Sequence, residues 1–238
     1  MTRELEGRVA VVTGSSGSIG SVICEALRDR GATVVGLDVS HAGSGVEFER
    51  CDLSDDGAVG EAITRIDRTH GRIDIAVHCA GISRDAVIWK LAVEEWDAVQ
   101  TVNLRGAFLL IRHAIPVMRR IGGGRIVLIG SINGSRGKRG TSAYAASKAG
   151  LIGLAKSVSR EAGRFGILVN VVEPGWVRTS MTEGLPAEVR KTALNETLTG
   201  EFVEPDDVAA AVVYLSGLGG RRVTGQILRV DAGQYLGS

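Results

Sequence analysis

The chain carries almost no net charge, few cysteines and no long apolar run, and each shortage removes a class of function. With 28 Lys and Arg against 27 Asp and Glu the formal charge is +1, so neither a nucleic-acid groove nor an acidic tail is expected. Cys24, Cys51 and Cys79 are odd in number and widely spaced, and His41, His70, His78 and His113 fall in no ligand pattern. Neither a disulfide framework nor a metal site is indicated. No stretch approaches the ~20 apolar residues of a membrane span, and the opening MTRELEG lacks the apolar core of a signal peptide. A soluble, cytoplasmic protein with no membrane partner is the expectation. Repeats and low-complexity segments are missing too, and no break in composition divides the chain, so residues 1–238 are read as a single domain.

What is present is an alternation. Strand signals recur at 9–12, 33–37, 46–49, 73–78, 125–129, 167–172 and 226–230, with helical patterns between most of them. Such alternation predicts an α/β chain whose parallel sheet is covered on both faces. The first unit is the most specific. An apolar run at 9–12 leads through Thr13 into Gly14, Ser15, Ser16, Gly17, Ser18, Ile19 and Gly20, then into an amphipathic helix stopped by Gly31. Backbone N–H groups in such a turn attract a pyrophosphate, and glycines let it approach the main chain. The second strand ends at Asp38, about 20 residues on, where a carboxylate accepts hydrogen bonds from a dinucleotide's ribose. The other reading of Asp38 is a turn cap. The pattern is that of a Rossmann-type doubly wound sheet, whose ligands sit beyond the carboxyl ends of the strands. Gly14, Asp38, Asp52, Ala80, Gly81, Ser131, Pro174 and Gly175 all fall there.

A second feature carries chemistry. Tyr144 and Lys148 stand four residues apart in Y-A-A-S-K, which on a helix places them on one face, one turn apart. A tyrosine hydroxyl titrates near ~10, and bringing it to about 7 takes roughly 4 kcal/mol, much of which a fixed ammonium supplies. Ser131 closes the run R-I-V-L-I-G-S upstream and is placed to hold the carbonyl or alcohol oxygen whose proton the tyrosine gives or takes.

Taken in order, the glycine turn, Asp38, Asp52 with Leu53, Asn103 in V-N-L, Ser131, Tyr144, Lys148 and P-G-W-V-R-T from Pro174 to Thr179 resemble the short-chain dehydrogenase/reductase family. G-I-S-R-D from Gly81, E-W-D-A-V from Glu95, K-A-G-L-I-G-L from Lys148 and V-T-G-Q from Val223 are similar to its 3-oxoacyl-(acyl carrier protein) reductase-like branch. The resemblance implies hydride transfer between NAD(H) and a secondary alcohol or ketone, with a 3-oxoacyl thioester on acyl carrier protein or CoA as a candidate substrate. It implies Tyr144 as general acid/base, Lys148 as the cation that lowers its pKa and binds the nicotinamide ribose, and Ser131 on the substrate oxygen. Asn103, mid-helix in 96–112, would hold a water linking Lys148 to solvent. Cofactor contacts are expected from Gly14, Ser16, Gly17, Ser18, Ile19, Gly20, Asp38, Asp52, Leu53, Ala80, Gly81, Tyr144, Lys148, Pro174, Gly175, Val177 and Thr179. A helical flap at 178–204, containing Met181, Leu185, Pro186, Leu194 and Leu198, would cover the substrate, and a homotetramer would form through the Asn103 and Tyr144 helices. NAD is expected over NADP, because Asp38 repels a 2′-phosphate and position 17 is glycine while Val39 and Ser40 follow Asp38.

The pattern is broken in places. Gly17 comes one position early and Ser18 stands where the middle glycine belongs, so its Cβ crowds a pyrophosphate or its hydroxyl donates to one. The usual N-N-A-G is His78-Cys79-Ala80-Gly81, which leaves the bridging role of the asparagine lost or remade by His78. Glu173 is either a surface residue or an acceptor for a hydroxylated substrate. Arg136, Lys138 and Arg139 form a basic turn that either attracts an anionic handle or is merely solvated. With Asn133, Ser135 and Glu173 making the rim polar, the second reading is an NAD-dependent dehydrogenase of a neutral or polyhydroxylated secondary alcohol. A dinucleotide-binding sensor or scaffold is the non-enzymatic one, and it is opposed by retention of all four of Asn103, Ser131, Tyr144 and Lys148.

Overall fold

The computed structural model describes residues 3–41, 45–179, 182, 184 and 187–237. Its strands are β1 Val9–Thr13, β2 Thr33–Asp38, β3 Glu47–Arg50, β4 Ile75–His78, β5 Gly124–Ile129, β6 Ile167–Pro174 and β7 Ile227–Val230. They form one seven-stranded sheet in the order β3-β2-β1-β4-β5-β6-β7, every pair parallel. The order reverses between β1 and β4, so a crevice opens beyond their carboxyl ends, where a parallel α/β sheet places its ligand. All seven strand signals in the sequence correspond to strands.

The helices are α1 Ser18–Asp29, α2 Asp56–His70, α3 Val93–Gln100, α4 Gly106–Arg120, α5 Ile132–Arg136, α6 Ser142–Ala162, α7 Ala187–Asn195 and α8 Pro205–Ser216. Their ends follow local chemistry. Asp55 caps α2 by accepting the N–H groups of Gly57 at 2.8 Å and Ala58 at 3.2 Å, and Gly71 ends it at φ 72°. Glu204 and Asp207 form a reciprocal capping box before α8, with Pro205 in its first turn. The sheet is buried on both faces. Val11, Leu37, Leu110, Ile126 and Leu151 lie in the core under α2, α4 and α6, while Ala10, Ile23, Leu27, Val127 and Val212 lie in the one under α1 and α8. Each large side chain fully withdrawn from water contributes about 1.5–3 kcal/mol.

The helix expected over 96–112 is present, running from α3 into α4 with a change of winding inside it. Between α3 and α4, Thr101–Arg105 form a π-helical turn. The extra residue per turn disturbs the backbone ladder locally, as π turns inside helices do, and Asn103 points into the protein, fully buried. Of the expected flap, α7 is present, whereas Met181, Leu185 and Pro186 lie outside the described residues.

Candidate active site

Strand ends and the helices that follow them supply the site. Ser131, two residues after β5, caps α5, and its Oγ accepts the Asn133 N–H at 3.2 Å. The Tyr144 phenol, in the first turn of α6, lies near enough to the same hydroxyl for Ser131 to favour its phenolate. One turn on, the buried Lys148 donates from Nζ to the Ile129 carbonyl at 2.7 Å, and its Nζ is 5.6 Å from the centre of the Tyr144 ring. Asn103 joins them from the π turn. Its Oδ1 accepts the Ile82 N–H at 2.8 Å, and its Nδ2 donates to the Ile82 carbonyl at 2.9 Å and to Ser147 Oγ at 3.0 Å. Gly81 sits over both: a Cβ there would lie 3.3 Å from Lys148 Nζ and 3.4 Å from Asn103 Oδ1.

Burial dominates the electrostatics. Withdrawal from water pushes the Tyr144 phenol above its ordinary value, with the Ser131 hydrogen bond pulling the other way. Burial likewise brings Lys148 down to about 8. The downward pull expected of Lys148 does not act on Tyr144: burial, which penalises a phenolate, is the largest influence, and Ser131 supplies the opposing one, while the Lys148 ammonium is engaged by the Ile129 carbonyl.

The dinucleotide crevice is built by close approach. Gly14 has φ 67°, and a Cβ on it would fall 2.7 Å from Ala80 N, while one on Gly20 would fall 2.0 Å from the Gly14 carbonyl oxygen. Only glycine lets the turn fold back on β4 and on itself. Gly17 precedes α1 in an extended conformation with no side-chain cap, so the first N–H groups of α1 point out with Gly17 and Ser18 exposed beside them. Those donors fit an anionic pyrophosphate. Ser18 opens the helix at the surface. At the end of β2, Asp38 Oδ2 accepts the Ser16 N–H at 3.0 Å and Oδ1 the Val39 N–H at 2.7 Å, which ties the carboxylate to the glycine turn. Arg50 is its register partner on β3, a cation that the sequence neighbours of Asp38 do not reveal. Asp52 follows β3 and accepts the Ser54 N–H at 2.9 Å, with Leu53 buried next to it. Val177 is buried and bridges to Val203, and the Thr179 N–H donates to Thr182 Oγ1 at 2.8 Å. Ser16, Ile19, Ala80, Pro174 and Gly175 lie on the same strand-end side.

Several open readings are closed by the geometry. His78 remakes the bridge that the missing asparagine would supply: its ring contacts Thr13 Oγ1 at 3.1 Å and the Asn103 carbonyl at 3.0 Å. Glu173 is not a surface residue. It is fully buried, accepting from Ser135 Oγ at 2.7 Å and from Arg229 Nε at 3.1 Å. Arg136 is withdrawn from the basic turn, its Nη2 on Glu196 Oε2 at 2.9 Å and its Nε on Asn133 Oδ1 at 3.2 Å, so Lys138 and Arg139 alone are exposed there. The polar rim shrinks as well, since Ser135 and Glu173 bond each other. Replacing Arg229 with methionine should strand the Glu173 carboxylate and cost about 2 kcal/mol in urea unfolding, below the roughly 3–5 kcal/mol of a fully buried pair because Arg229 is partly exposed; no loss would show that Ser135 suffices.

Two residues that the sequence did not single out organise the site. Ser147 receives Asn103 and donates to the Tyr144 carbonyl at 2.7 Å; it lies inside Y-A-A-S-K, so its position was a signal. Gln234, buried near the end of the chain, accepts the Trp176 N–H at 2.8 Å and donates to Glu196 Oε2 at 2.9 Å. Gln234 thereby joins the turn after Pro174 to the segment following α7, a contact between distant segments that no local pattern announces.

Comparison with known proteins agrees with this geometry. The family described as Enoyl-(Acyl carrier protein) reductase matches residues 14–234. The 3-oxoacyl-[acyl-carrier-protein] reductase FabG of Thermotoga maritima is 36% identical over 244 residues, covering 98% of this chain and 99% of that protein. The protein of the same name from Escherichia coli K12 is 35% identical over 240 residues, covering 97% and 98%. The crystal structure of gox2181 superposes with a TM-score of 0.94 at 29% identity, over 98% of both chains. Matched along nearly its whole length in sequence and in fold, the chain belongs to the short-chain dehydrogenase/reductase family of oxidoreductases, whose members use a nicotinamide dinucleotide.

Proposed function

We propose that the protein reduces a 3-oxoacyl thioester to the 3-hydroxy product with NADH. The observation that carries this is the convergence of the Ser131 hydroxyl and the Tyr144 phenol above the buried Lys148. When bound, the nicotinamide supplies the hydride. The residues of the chain handle the oxygen: Ser131 and Tyr144 donate to the substrate carbonyl, and Tyr144 gives up the proton as the alkoxide forms. A phenol titrating near ~10 or above carries its proton at neutral pH, so Tyr144 has one to give. Lys148 binds the nicotinamide ribose and steadies the phenolate left behind, and Asn103 holds the segment at Ile82 against Ser147. Gly14, Ser16 to Gly20, Asp38, Asp52, Leu53, Ala80, Gly81, Pro174, Gly175, Val177 and Thr179 complete the cofactor's bed.

The thioester rests on the FabG relatives and on charge at the flap. A pocket of about 240 Å³ beneath α7 is lined by Trp176, Arg178, Arg190, Lys191, Leu194 and Phe202, and an apolar wall with basic neighbours suits an acyl chain with an anionic carrier or CoA handle. Reduction of acetoacetyl-CoA with NADH is the test. Steering by Lys138, Arg139 and Lys191 should make kcat/KM fall several-fold between ~20 and 200 mM salt, as screening shortens the reach of charge. No activity on acetoacetyl-CoA beside good activity on a neutral secondary alcohol would move the assignment to an oxidative alcohol dehydrogenase, which the Asp38 preference for NAD favours.

The same proposal includes one domain over 1–238, a cytoplasmic location and a homotetramer. No helix among the described residues is long and apolar enough to cross a membrane. An open groove between α4 and α6, with Leu104, Phe108 and Leu154 on its walls, leaves Phe108 44% exposed, which a second copy would cover. Sedimentation of the purified chain checks it.

A further inference from the structure

His78 is fully buried at the end of β4, between Thr13 of β1 and Leu128 of β5 in register. Its tautomer follows from its partners. The Asn103 carbonyl only accepts, so Nε2 carries the hydrogen of that 3.0 Å bond. Burial, with Lys148 adding to it, drives the imidazole pKa down to about 3, so the ring is neutral and Nδ1 accepts from the Thr13 hydroxyl at 3.1 Å. Thr13 Oγ1 in turn accepts the N–H groups of Cys79 at 3.2 Å and Ala80 at 3.3 Å. Beyond Asn103 the connection continues through Nδ2 to Ser147 Oγ at 3.0 Å and from Ser147 Oγ to the Tyr144 carbonyl at 2.7 Å. Gly106 packs beside the ring, where a Cβ would touch His78 Cε1 at 3.5 Å and crowd Leu53 Cβ at 3.1 Å.

We propose that His78 is a positioning residue: by holding the Asn103 carbonyl of the π turn it fixes Asn103 on Ser147, and so fixes the end of α6 that presents Tyr144 and Lys148 to the substrate. The proposal rests on the assignment of Tyr144 and Lys148 to proton transfer. The connected residues span the end of β1, the π turn and α6, and the Asn103 backbone and side chain are held from opposite sides by His78 and Ser147. The imidazole takes no proton in the reaction. Its length is what matters, since it reaches Thr13 from one edge and Asn103 from the other.

Two amides separate those edges. An asparagine at 78 keeps a polar atom near the Nδ1 position and loses the reach to Asn103, whereas a glutamine keeps a donor near the Nε2 position. Acetoacetyl-CoA reduction, NADH affinity from nicotinamide fluorescence, and melting temperature should be measured for His78→Asn, His78→Gln and Ser147→Ala. For His78→Asn we expect kcat down about 30-fold with the ketone KM and the NADH Kd within about twofold, the mark of lost transition-state alignment. His78→Gln should return to within about threefold of the parent enzyme. Because both changes interrupt one connection, adding Ser147→Ala to His78→Asn should cost less than about twofold more. Equal kcat for the Asn and Gln variants, losses that multiply in the double variant, or a kcat loss matched by a collapse of NADH binding would each overturn the proposal. Should His78→Asn not fold, Ser147→Ala alone decides: kcat down about tenfold with Kd unchanged supports the connection, and an unchanged kcat removes it. A parent enzyme that binds NADH and reduces no ketone would instead refute the underlying functional assignment.

Discussion

Replacing Tyr144 with phenylalanine is expected to cut turnover more than about a hundred-fold while NADH binding stays nearly intact, because it deletes only the hydroxyl that moves the proton. The ring remains to fill its place on α6, and Ser131 keeps its bond from the Asn133 N–H, so the site holds its shape. Lys148→Ala should do more damage. It removes a buried cation, the donor to the Ile129 carbonyl and a ribose contact together, so kcat and cofactor affinity should fall in parallel. Single-turnover kinetics with NADH fluorescence separates the two effects. A Tyr144→Phe enzyme keeping more than about a hundredth of the parent rate would show that another group carries the proton.

The second large effect is cofactor choice. Asp38 stands at the end of β2 with its carboxylate aimed by the N–H groups of Ser16 and Val39, and it remains able to accept from ribose hydroxyls. A 2′-phosphate near 4 Å from that charge costs about 1 to 4 kcal/mol depending on local dielectric, a preference for NADH of roughly ten- to thousand-fold. Comparison of kcat/KM with NADH and NADPH measures it directly, and equal or better values with NADPH would sink the assignment. Asp38→Ser should narrow the gap by admitting the phosphate. It should also weaken NADH binding, since the glycine turn loses the anchor at the Ser16 N–H.

How far the sequence could be read depended on whether a feature was local. Apart from β3, whose E-F-E-R is mostly charged, the strands were legible because each is a short apolar run bounded by turn residues, and the glycine turn because its residues and Asp38 sit at a spacing that a strand, a turn and a helix satisfy. Tyr144, Lys148 and Ser131 were legible for the same reason. The π turn was not, because nothing in T-V-N-L-R breaks a helical pattern; its Asn103 meets Ser147 of α6, 44 residues away. Glu173 and Arg136 were misread as candidates for the rim because charge in a sequence carries no burial. Their partners, Arg229 and Glu196, lie 56 and 60 residues away.

By itself the sequence determined the order of elements, the parallel sheet, the strand-end location of the crevice and the chemical identity of the groups that line it. These follow from periodicity and spacing, which act between neighbours along the chain. Tertiary structure decided what those groups are free to do. It engaged Arg136 with Glu196, sealed Glu173 beneath Ser135 and Arg229, raised Tyr144 by burial instead of lowering it through Lys148, and set His78 between Thr13 and Asn103. Each of these depends on which distant segment covers a side chain, because the cost of a buried charge and the reach of a hydrogen bond are set by three-dimensional neighbours and not by position in the chain.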